Sequence, residues 1–278
     1  MKVLVTGAKG MLGSDIVSDL KELRIDHLGI DKEDGDITDC KKVLKIVNKY
    51  LPDVIIHCAA YTAVDQAEDD IKLCRNVNVN ATKNLLEAAK KINAKFLFIS
   101  TDYVFDGKKD APYEIFDNRN PLSIYGKSKM DAENLVMEYQ KSFIIRTSWV
   151  FGKNGKNFIK TMIALQKENK NISVVDDQVG SPTFTKDLSK AIIKMIDSNK
   201  FGIYHVTNEG YISWFDFAKM IFSELGVEAL IKPISSDEFP AKASRPMNSK
   251  LSKKSLYENG FHKLPDIRDA LKRYLKEL

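Results

Sequence analysis

A β-rich segment that ends in a glycine turn within the first 13 residues limits the fold more than any other feature. Lys2–Thr6 is apolar, and the turn Gly7-x-x-Gly10-x-x-Gly13 follows it directly, before a helical pattern of apolar residues. A strand, a glycine turn and a helix in this order are typical of a dinucleotide-binding βαβ unit. Gly7 allows the tight turn, Gly10 lets the backbone approach a pyrophosphate, and Gly13 permits close packing of helix against strand.

Three further apolar segments continue this alternation of strands and helices. They are residues 27–31, 53–57 and 95–99, and helical patterns lie between them. The segment at 53–57 is apolar throughout, as expected for a parallel sheet covered on both faces. The sequence therefore predicts an α/β fold, a Rossmann-type doubly wound parallel sheet with a smaller C-terminal α/β lobe that binds substrate. We assign residues 1–150 to the dinucleotide-binding domain and 151–278 mainly to the lobe, with some segments returning to the Rossmann core.

Polar residues follow the ends of two predicted strands, which is where ligands bind in open α/β sheets. Asp31 ends the second strand at about the distance from the glycine turn that is expected of a ribose-binding carboxylate. A carboxylate there repels a 2′-phosphate and favours NADH over NADPH, but the neighbouring Lys32 leaves the preference open. Thr101 follows the fourth strand, and its hydroxyl can donate to a carbonyl oxygen while it accepts from a phenol.

Tyr125 and Lys129 lie four residues apart in a segment that should begin a helix, with Ser123 as the N-cap. Positions i and i+4 lie on one face of a helix. A cation held nearby favours the phenolate form and lowers the pKa of a tyrosine. The spacing therefore predicts a proton donor or acceptor beside a redox cofactor.

Composition argues against several other classes of protein. No run of about 18 apolar residues occurs, so we expect neither a transmembrane helix nor a membrane partner. The three cysteines lack C-x-x-C spacing and the four histidines are scattered, which favours a cytoplasmic protein without a metal site. The net charge of +5 is concentrated in residues 242–278. Because no recognition motif accompanies these basic residues, we expect no nucleic-acid partner.

Taken in order, the glycine turn, Asp31, Thr101 and the pair Tyr125 and Lys129 resemble the extended short-chain dehydrogenase/reductase superfamily. Within it, the chain is most similar to the dTDP-4-dehydrorhamnose reductase family, over nearly its whole length. The segments that carry this resemblance are CAAYTAVD at 58–65, STDYVF at 100–105, YGKSK at 125–129, RTSWVF at 146–151, DQVGSPT at 177–183 and RPMNSKL at 245–251.

The resemblance implies a role for each matched residue. Tyr125 would donate a proton to the C4 oxygen of a keto sugar, Lys129 would hold the nicotinamide ribose and lower the Tyr125 pKa, and Thr101 would orient the keto oxygen. The residues implied to bind the cofactor, NADPH or NADH, are Gly7, Gly10, Met11, Leu12, Gly13, Asp31, Asp36, Ile37, Ala60, Tyr61, Thr62, Tyr125 and Lys129. Those implied to contact a dTDP-sugar are Thr101, Asp102, Trp149 and Arg245, the last through the diphosphate.

The implied activity is the NAD(P)H-dependent reduction of dTDP-4-dehydro-6-deoxy-L-mannose to dTDP-L-rhamnose. One alternative is a reductase, epimerase or dehydratase that acts on another nucleotide sugar. A second is a non-catalytic NADP-binding protein, because the regulatory subunit of methionine adenosyltransferase resembles the same group. The intact set of Thr101, Tyr125 and Lys129 weighs against this second alternative. The oligomeric state, with a homodimer among the alternatives, and any divalent ion at an interface stay open.

Overall fold

A six-stranded parallel sheet forms the centre of the computed structural model, which describes residues 1–168 and 171–278. The strands in chain order are β1 (Lys2–Thr6), β2 (Asp26–Ile30), β3 (Val54–His57), β4 (Lys95–Thr101), β5 (Ser142–Thr147), β6 (Val150–Phe151), β7 (Ile172–Val175), β8 (Val179–Gly180), β9 (Thr183–Phe184), β10 (Gly202–His205), β11 (Ile212–Ser213), β12 (Ile231–Ile234) and β13 (Asn248–Ser249). Across the central sheet the spatial order is β10-β5-β4-β3-β1-β2. All of its neighbouring strands run parallel, which confirms the predicted fold class.

Helices cover both faces of this sheet and build the second lobe. They are α1 (Met11–Glu22), α2 (Cys40–Tyr50), α3 (Val64–Ala67), α4 (Ile71–Arg75), α5 (Ala81–Lys91), α6 (Ile124–Met137), α7 (Phe158–Lys167), α8 (Thr185–Ile196), α9 (Trp214–Leu225), α10 (Lys254–Glu258) and α11 (Ile267–Leu275). A π-helical turn spans Asn76–Asn80, and short 3₁₀ turns span Asp102–Val104 and Ser236–Glu238. No helix in the described ranges is long and apolar enough to cross a membrane.

The alternation of side chains along β1 explains why the central strands are apolar throughout. Val3 and Val5 pack on one face, in a core shared with α1 and α8, whereas Leu4 packs on the other with α2, α5 and α6. Successive side chains of a strand point to opposite faces, so a sheet covered on both sides needs apolar residues at every position. The carboxyl ends of the strands are left free to form a site.

The second half of the chain contributes to both regions. Helix α8 packs on α1, and β10 pairs with β5 at one edge of the central sheet. A separate core lies within the lobe and includes Phe151, Phe184, Phe217 and Tyr274. Segments after residue 150 therefore belong to the central sheet and its helices as well as to the lobe, and the boundary at residue 150 stays a prediction.

Candidate functional site

The glycine turn forms a bare backbone cradle at the carboxyl end of β1. Gly7 adopts φ +66°, a conformation that favours glycine. A Cβ on Gly13 would lie 2.1 Å from the carbonyl oxygen of Gly7, and one on Gly10 would lie 3.1 Å from it. Helix α1 begins at Met11, and no side chain caps its N-terminus. The first backbone N–H groups of the helix therefore remain available at the glycine turn. The turn therefore fits a pyrophosphate, because helix N-termini bind anions.

Asp31 lies directly beside this turn, at the end of β2. Its carboxylate accepts hydrogen bonds from the backbone N–H of Lys9 at 3.0 Å and of Lys32 at 2.9 Å. The Lys9 ammonium pairs with Glu33 at 2.8 Å. The carboxylate can thus accept from a ribose hydroxyl, and Lys32 lines the same cleft.

A cleft of about 1070 Å³ runs along the carboxyl edge of the sheet and joins most of the predicted site residues. The predicted residues that line it are Gly7, Gly10, Met11, Leu12, Asp31, Asp36, Ile37, Ala60, Thr62, Thr101, Asp102, Tyr125, Lys129 and Trp149. Three predicted residues, Gly13, Tyr61 and Arg245, do not belong to this lining. Gly13 instead provides the close contact that keeps the turn compact.

Tyr125 stands in the first turn of α6, as its sequence predicts. Ser123 caps that helix by accepting a hydrogen bond from the N–H of Gly126 at 3.1 Å. Burial is the largest effect on the Tyr125 phenol and raises its pKa, while the hydrogen-bonded Thr101 hydroxyl lowers it. The net shift of the Tyr125 pKa is upward, opposite to the direction expected from the spacing, because burial outweighs the polar neighbours. The phenol is therefore protonated at neutral pH.

Thr101 connects the phenol to a buried carboxyl group. Its hydroxyl donates to Asp102 Oδ1 at 2.9 Å. Burial raises the Asp102 pKa to about 6, although hydrogen bonds from Ser249 and Thr101 oppose the shift. Tyr125, Thr101 and Asp102 thus lie next to one another on the wall of the cleft.

Lys129 is almost fully buried one turn further along α6. Its Nζ atom lies 4.0 Å from the centroid of the Phe98 ring. Burial lowers the Lys129 pKa to about 7, and the nearby Glu133 carboxylate partly offsets this effect. The ammonium therefore titrates near neutrality, and a ligand that supplies hydrogen-bond acceptors in the cleft would favour its charged form.

Tyr61 and Arg245 make contacts within the protein. The Tyr61 hydroxyl donates to Asp70 Oδ2 at 2.9 Å, and the Tyr61 backbone N–H donates to Asn78 Oδ1 at 2.8 Å. Two nitrogens of the Arg245 guanidinium bind the Asp65 carboxylate, at 2.6 Å and 3.1 Å. Tyr61 therefore lies outside the lining of the cleft, and Arg245 is held in an ion pair with Asp65.

Some residues that line the cleft lie in irregular segments and were not predicted from the sequence. Asn76 and Val77 line the cleft from the π-helical turn, and Lys156 does so from the loop after β6. A π-helical turn has no periodicity that distinguishes it from an α-helix in the sequence, although such turns often lie at functional sites. Asn78 lies in the same turn and binds Ser128 Oγ at 2.9 Å, which ties this turn to α6.

Comparisons with known proteins agree with this geometry. The family model described as RmlD substrate binding domain matches residues 1–278. The spore coat polysaccharide biosynthesis protein SpsK of Bacillus subtilis is 41% identical over 278 residues, covering 99% of this chain and 97% of that protein. The dTDP-4-dehydrorhamnose reductase of Aggregatibacter actinomycetemcomitans is 41% identical, with 89% of each chain covered.

A solved structure agrees over the whole chain. The crystal structure of dTDP-4-dehydrorhamnose reductase from Bacillus anthracis in complex with NADP has a TM-score of 0.97 to this chain at 44% identity. The match covers 100% of this chain and 99% of the other. The two folds therefore correspond over the whole chain.

Proposed function

The chain belongs to the RmlD substrate binding domain family, and from this premise we propose that it is a dTDP-4-dehydrorhamnose reductase. It reduces the C4 keto group of dTDP-4-dehydro-6-deoxy-L-mannose to give dTDP-L-rhamnose, with NADPH or NADH as reductant. The observation that carries the proposal is the position of Thr101, Tyr125 and Lys129 on one wall of a cleft that also contains the glycine turn.

The protein holds the cofactor through backbone and carboxylate groups. Gly10, Met11 and Leu12 present N–H groups to the pyrophosphate, and Asp31 accepts a hydrogen bond from the adenosine ribose. The similar Bacillus anthracis enzyme was crystallised with NADP. Lys32 follows Asp31 and lines the same cleft, so a 2′-phosphate on that ribose would meet positive charge as well as the carboxylate. When bound, the reduced nicotinamide supplies the hydride.

Tyr125 supplies the proton. Because its phenol is protonated at neutral pH, it can donate to the C4 oxygen as negative charge develops there. Thr101 orients that oxygen when its hydroxyl, which donates to Asp102 in this structure, turns to the substrate. Lys129 binds the nicotinamide ribose, and its charge stabilises the phenolate that remains. The C4 carbon thus gains a hydride and its oxygen gains a proton, which completes the reduction to an alcohol.

The nucleotide sugar occupies the part of the cleft that Asp102 and Trp149 line. Arg245 stays a prediction for the diphosphate, since its guanidinium pairs with Asp65 beside the cleft. We further propose a cytoplasmic enzyme that binds neither nucleic acid nor membrane. Sedimentation measurements distinguish a monomer from a homodimer.

An oxidation assay against a panel of nucleotide sugars tests the proposed function. Purified protein is mixed with NADPH or NADH and with several 4-keto nucleotide sugars, and the loss of cofactor absorbance is followed. We expect turnover with dTDP-4-dehydro-6-deoxy-L-mannose and much slower turnover with the others. Preference for another keto sugar would identify a different reductase. Tightly bound NAD without turnover would identify an epimerase or dehydratase, and cofactor binding alone a regulatory protein.

A further inference from the structure

Trp149 has a backbone conformation that few tryptophans adopt. Its φ is +49°, in the left-handed region where bulky side chains are rare. The flanking chain holds it there: the N–H of Thr183 donates to the Trp149 carbonyl oxygen at 3.2 Å, and Ser148 Oγ donates to the Ser181 carbonyl oxygen at 2.7 Å. Unfavourable backbone conformations that are fixed in this way cluster at ligand sites.

The indole of Trp149 is confined on two sides. Gly180 lies against its edge, where an added Cβ would come within 2.7 Å of Trp149 Cε2. Trp214 covers one of its faces, with ring centroids 3.5 Å apart and planes 10° from parallel. Aromatic pairs prefer offset or edge-to-face arrangements to such a sandwich. The surrounding packing therefore imposes this pair, and the indole of Trp149 has little freedom to move.

Trp214 is itself anchored in the lobe. It is the first residue of α9, and Ser213 caps that helix by accepting from the N–H of Asp216 at 3.0 Å. The Phe158 ring packs on it with centroids 4.5 Å apart. Trp149 lines the cleft, whereas Trp214 does not. Trp214 can therefore act on a molecule in the cleft through the Trp149 ring on which it stacks.

We propose that Trp214 is a positioning residue that holds the Trp149 indole as an aromatic wall for the nucleotide sugar. This inference rests on the proposed function and deepens it by assigning how the substrate end of the cleft is shaped. A flat apolar wall suits the ring and methyl group of a 6-deoxy sugar, because it buries C–H groups without competing for hydroxyls. Trp214 then affects binding of the nucleotide sugar and leaves cofactor binding unchanged.

Variants of Trp214 test this proposal. Trp214→Leu keeps apolar volume but removes the ring face, Trp214→Phe restores an aromatic face, and Phe215→Leu makes the same kind of change at the next position of α9. For Trp214→Leu we expect KM for the keto sugar to rise about tenfold with KM for NADPH within about twofold of wild type. We expect Trp214→Phe to recover most of the loss and Phe215→Leu to resemble wild type. An unchanged KM in Trp214→Leu, or an equal rise in Phe215→Leu, would overturn the proposal.

A spectroscopic measurement tests the role of Trp214 without requiring turnover of a keto sugar. The chain has only two tryptophans, so a tryptophan–tryptophan exciton couplet in the far-ultraviolet circular dichroism reports on this pair. We expect that signal to vanish in Trp214→Phe and to persist in Phe215→Leu, and we expect dTDP-L-rhamnose to change the tryptophan emission of wild type. If no keto sugar is reduced but Trp214→Leu binds dTDP-L-rhamnose about tenfold more weakly, the proposed function fails and the positioning role stands. If dTDP-L-rhamnose leaves the emission unchanged and does not bind, the positioning role fails.

Discussion

Glu133 accepts two hydrogen bonds from the Arg146 guanidinium, at 2.9 Å and 2.8 Å, and the two side chains are only 0% and 1% exposed. Ser100 Oγ also donates to this carboxylate at 2.6 Å, and Arg119 does so at 3.0 Å. Ser100 precedes Thr101 on β4, and Glu133 lies one turn after Lys129 on α6. The buried ion pair therefore ties together the two elements that carry the proposed catalytic residues.

Removal of the Glu133 carboxylate should destabilise the protein strongly. In Glu133→Ala the Arg146 charge stays buried without its partner, which costs about 3–5 kcal/mol in comparable cases. Urea denaturation measures the free energy of unfolding. Glu138→Ala, an exposed glutamate at the end of the same helix, is the matched control and should change stability by less than about 0.5 kcal/mol. An equal loss of unfolding free energy in both variants would show that the buried ion pair contributes no more than an exposed glutamate.

Removal of the Tyr125 hydroxyl should abolish most of the turnover. A positioned proton donor contributes about 10²–10⁴-fold to rate, so Tyr125→Phe should lower kcat by at least about 100-fold. The Kd for NADPH, measured by fluorescence titration, should stay near that of wild type because the phenol acts on the substrate. Tyr103→Phe removes a second phenol from the cleft wall and should cost less than about tenfold. Turnover near wild type in Tyr125→Phe would show that another group donates the proton.

The sequence predicted the elements with local patterns and missed relationships between distant residues. Lys2–Thr6 has the predicted bounds because it is a short apolar segment that ends at a glycine turn, and Ser123 caps α6 because capping is a local property. The stacking of Trp149 on Trp214 depends on how the lobe folds back on the sheet. The direction of the Tyr125 pKa shift depends on burial, which spacing along a helix does not determine.

The depressed pKa of Lys129 predicts how stability changes with pH in the cofactor-free protein. The folded-state pKa is about 7 and the ordinary value is 10.5, so between these values the unfolded state binds more protons than the folded state. The free energy of unfolding should therefore rise with pH in this window. Lys129→Met lacks this titration. We expect wild type to gain about 2 kcal/mol relative to Lys129→Met between pH 7 and pH 9.

Urea denaturation at several pH values measures this gain. Lys127→Met removes an exposed lysine from the same helix. It measures how far the loss of any lysine charge on this helix changes the free energy of unfolding. A difference between wild type and Lys129→Met that stays constant from pH 7 to pH 9 would show that Lys129 keeps an ordinary pKa in the folded protein.

The ion pair of Arg245 and Asp65 allows a test of the predicted diphosphate contact. Asp65 Oδ1 also accepts from the backbone N–H groups of Lys242 and Ala243, at 3.1 Å and 3.0 Å. Asp65→Asn can keep these backbone bonds through its amide oxygen while it removes the negative charge beside Arg245. If Arg245 binds the diphosphate, Arg245→Ala should raise KM for the nucleotide sugar about tenfold, because one charge-assisted hydrogen bond is lost.

The two variants should then differ in their effect on KM for the nucleotide sugar. Asp65→Asn frees the guanidinium from its carboxylate partner, so KM for the nucleotide sugar should stay unchanged or fall, while KM for NADPH stays constant in both variants. Steady-state kinetics with each substrate varied in turn measures these constants. A similar rise of KM in both variants would instead mean that the ion pair acts by holding residues 242–245 against the loop at Asp65, and that the diphosphate is bound by other groups.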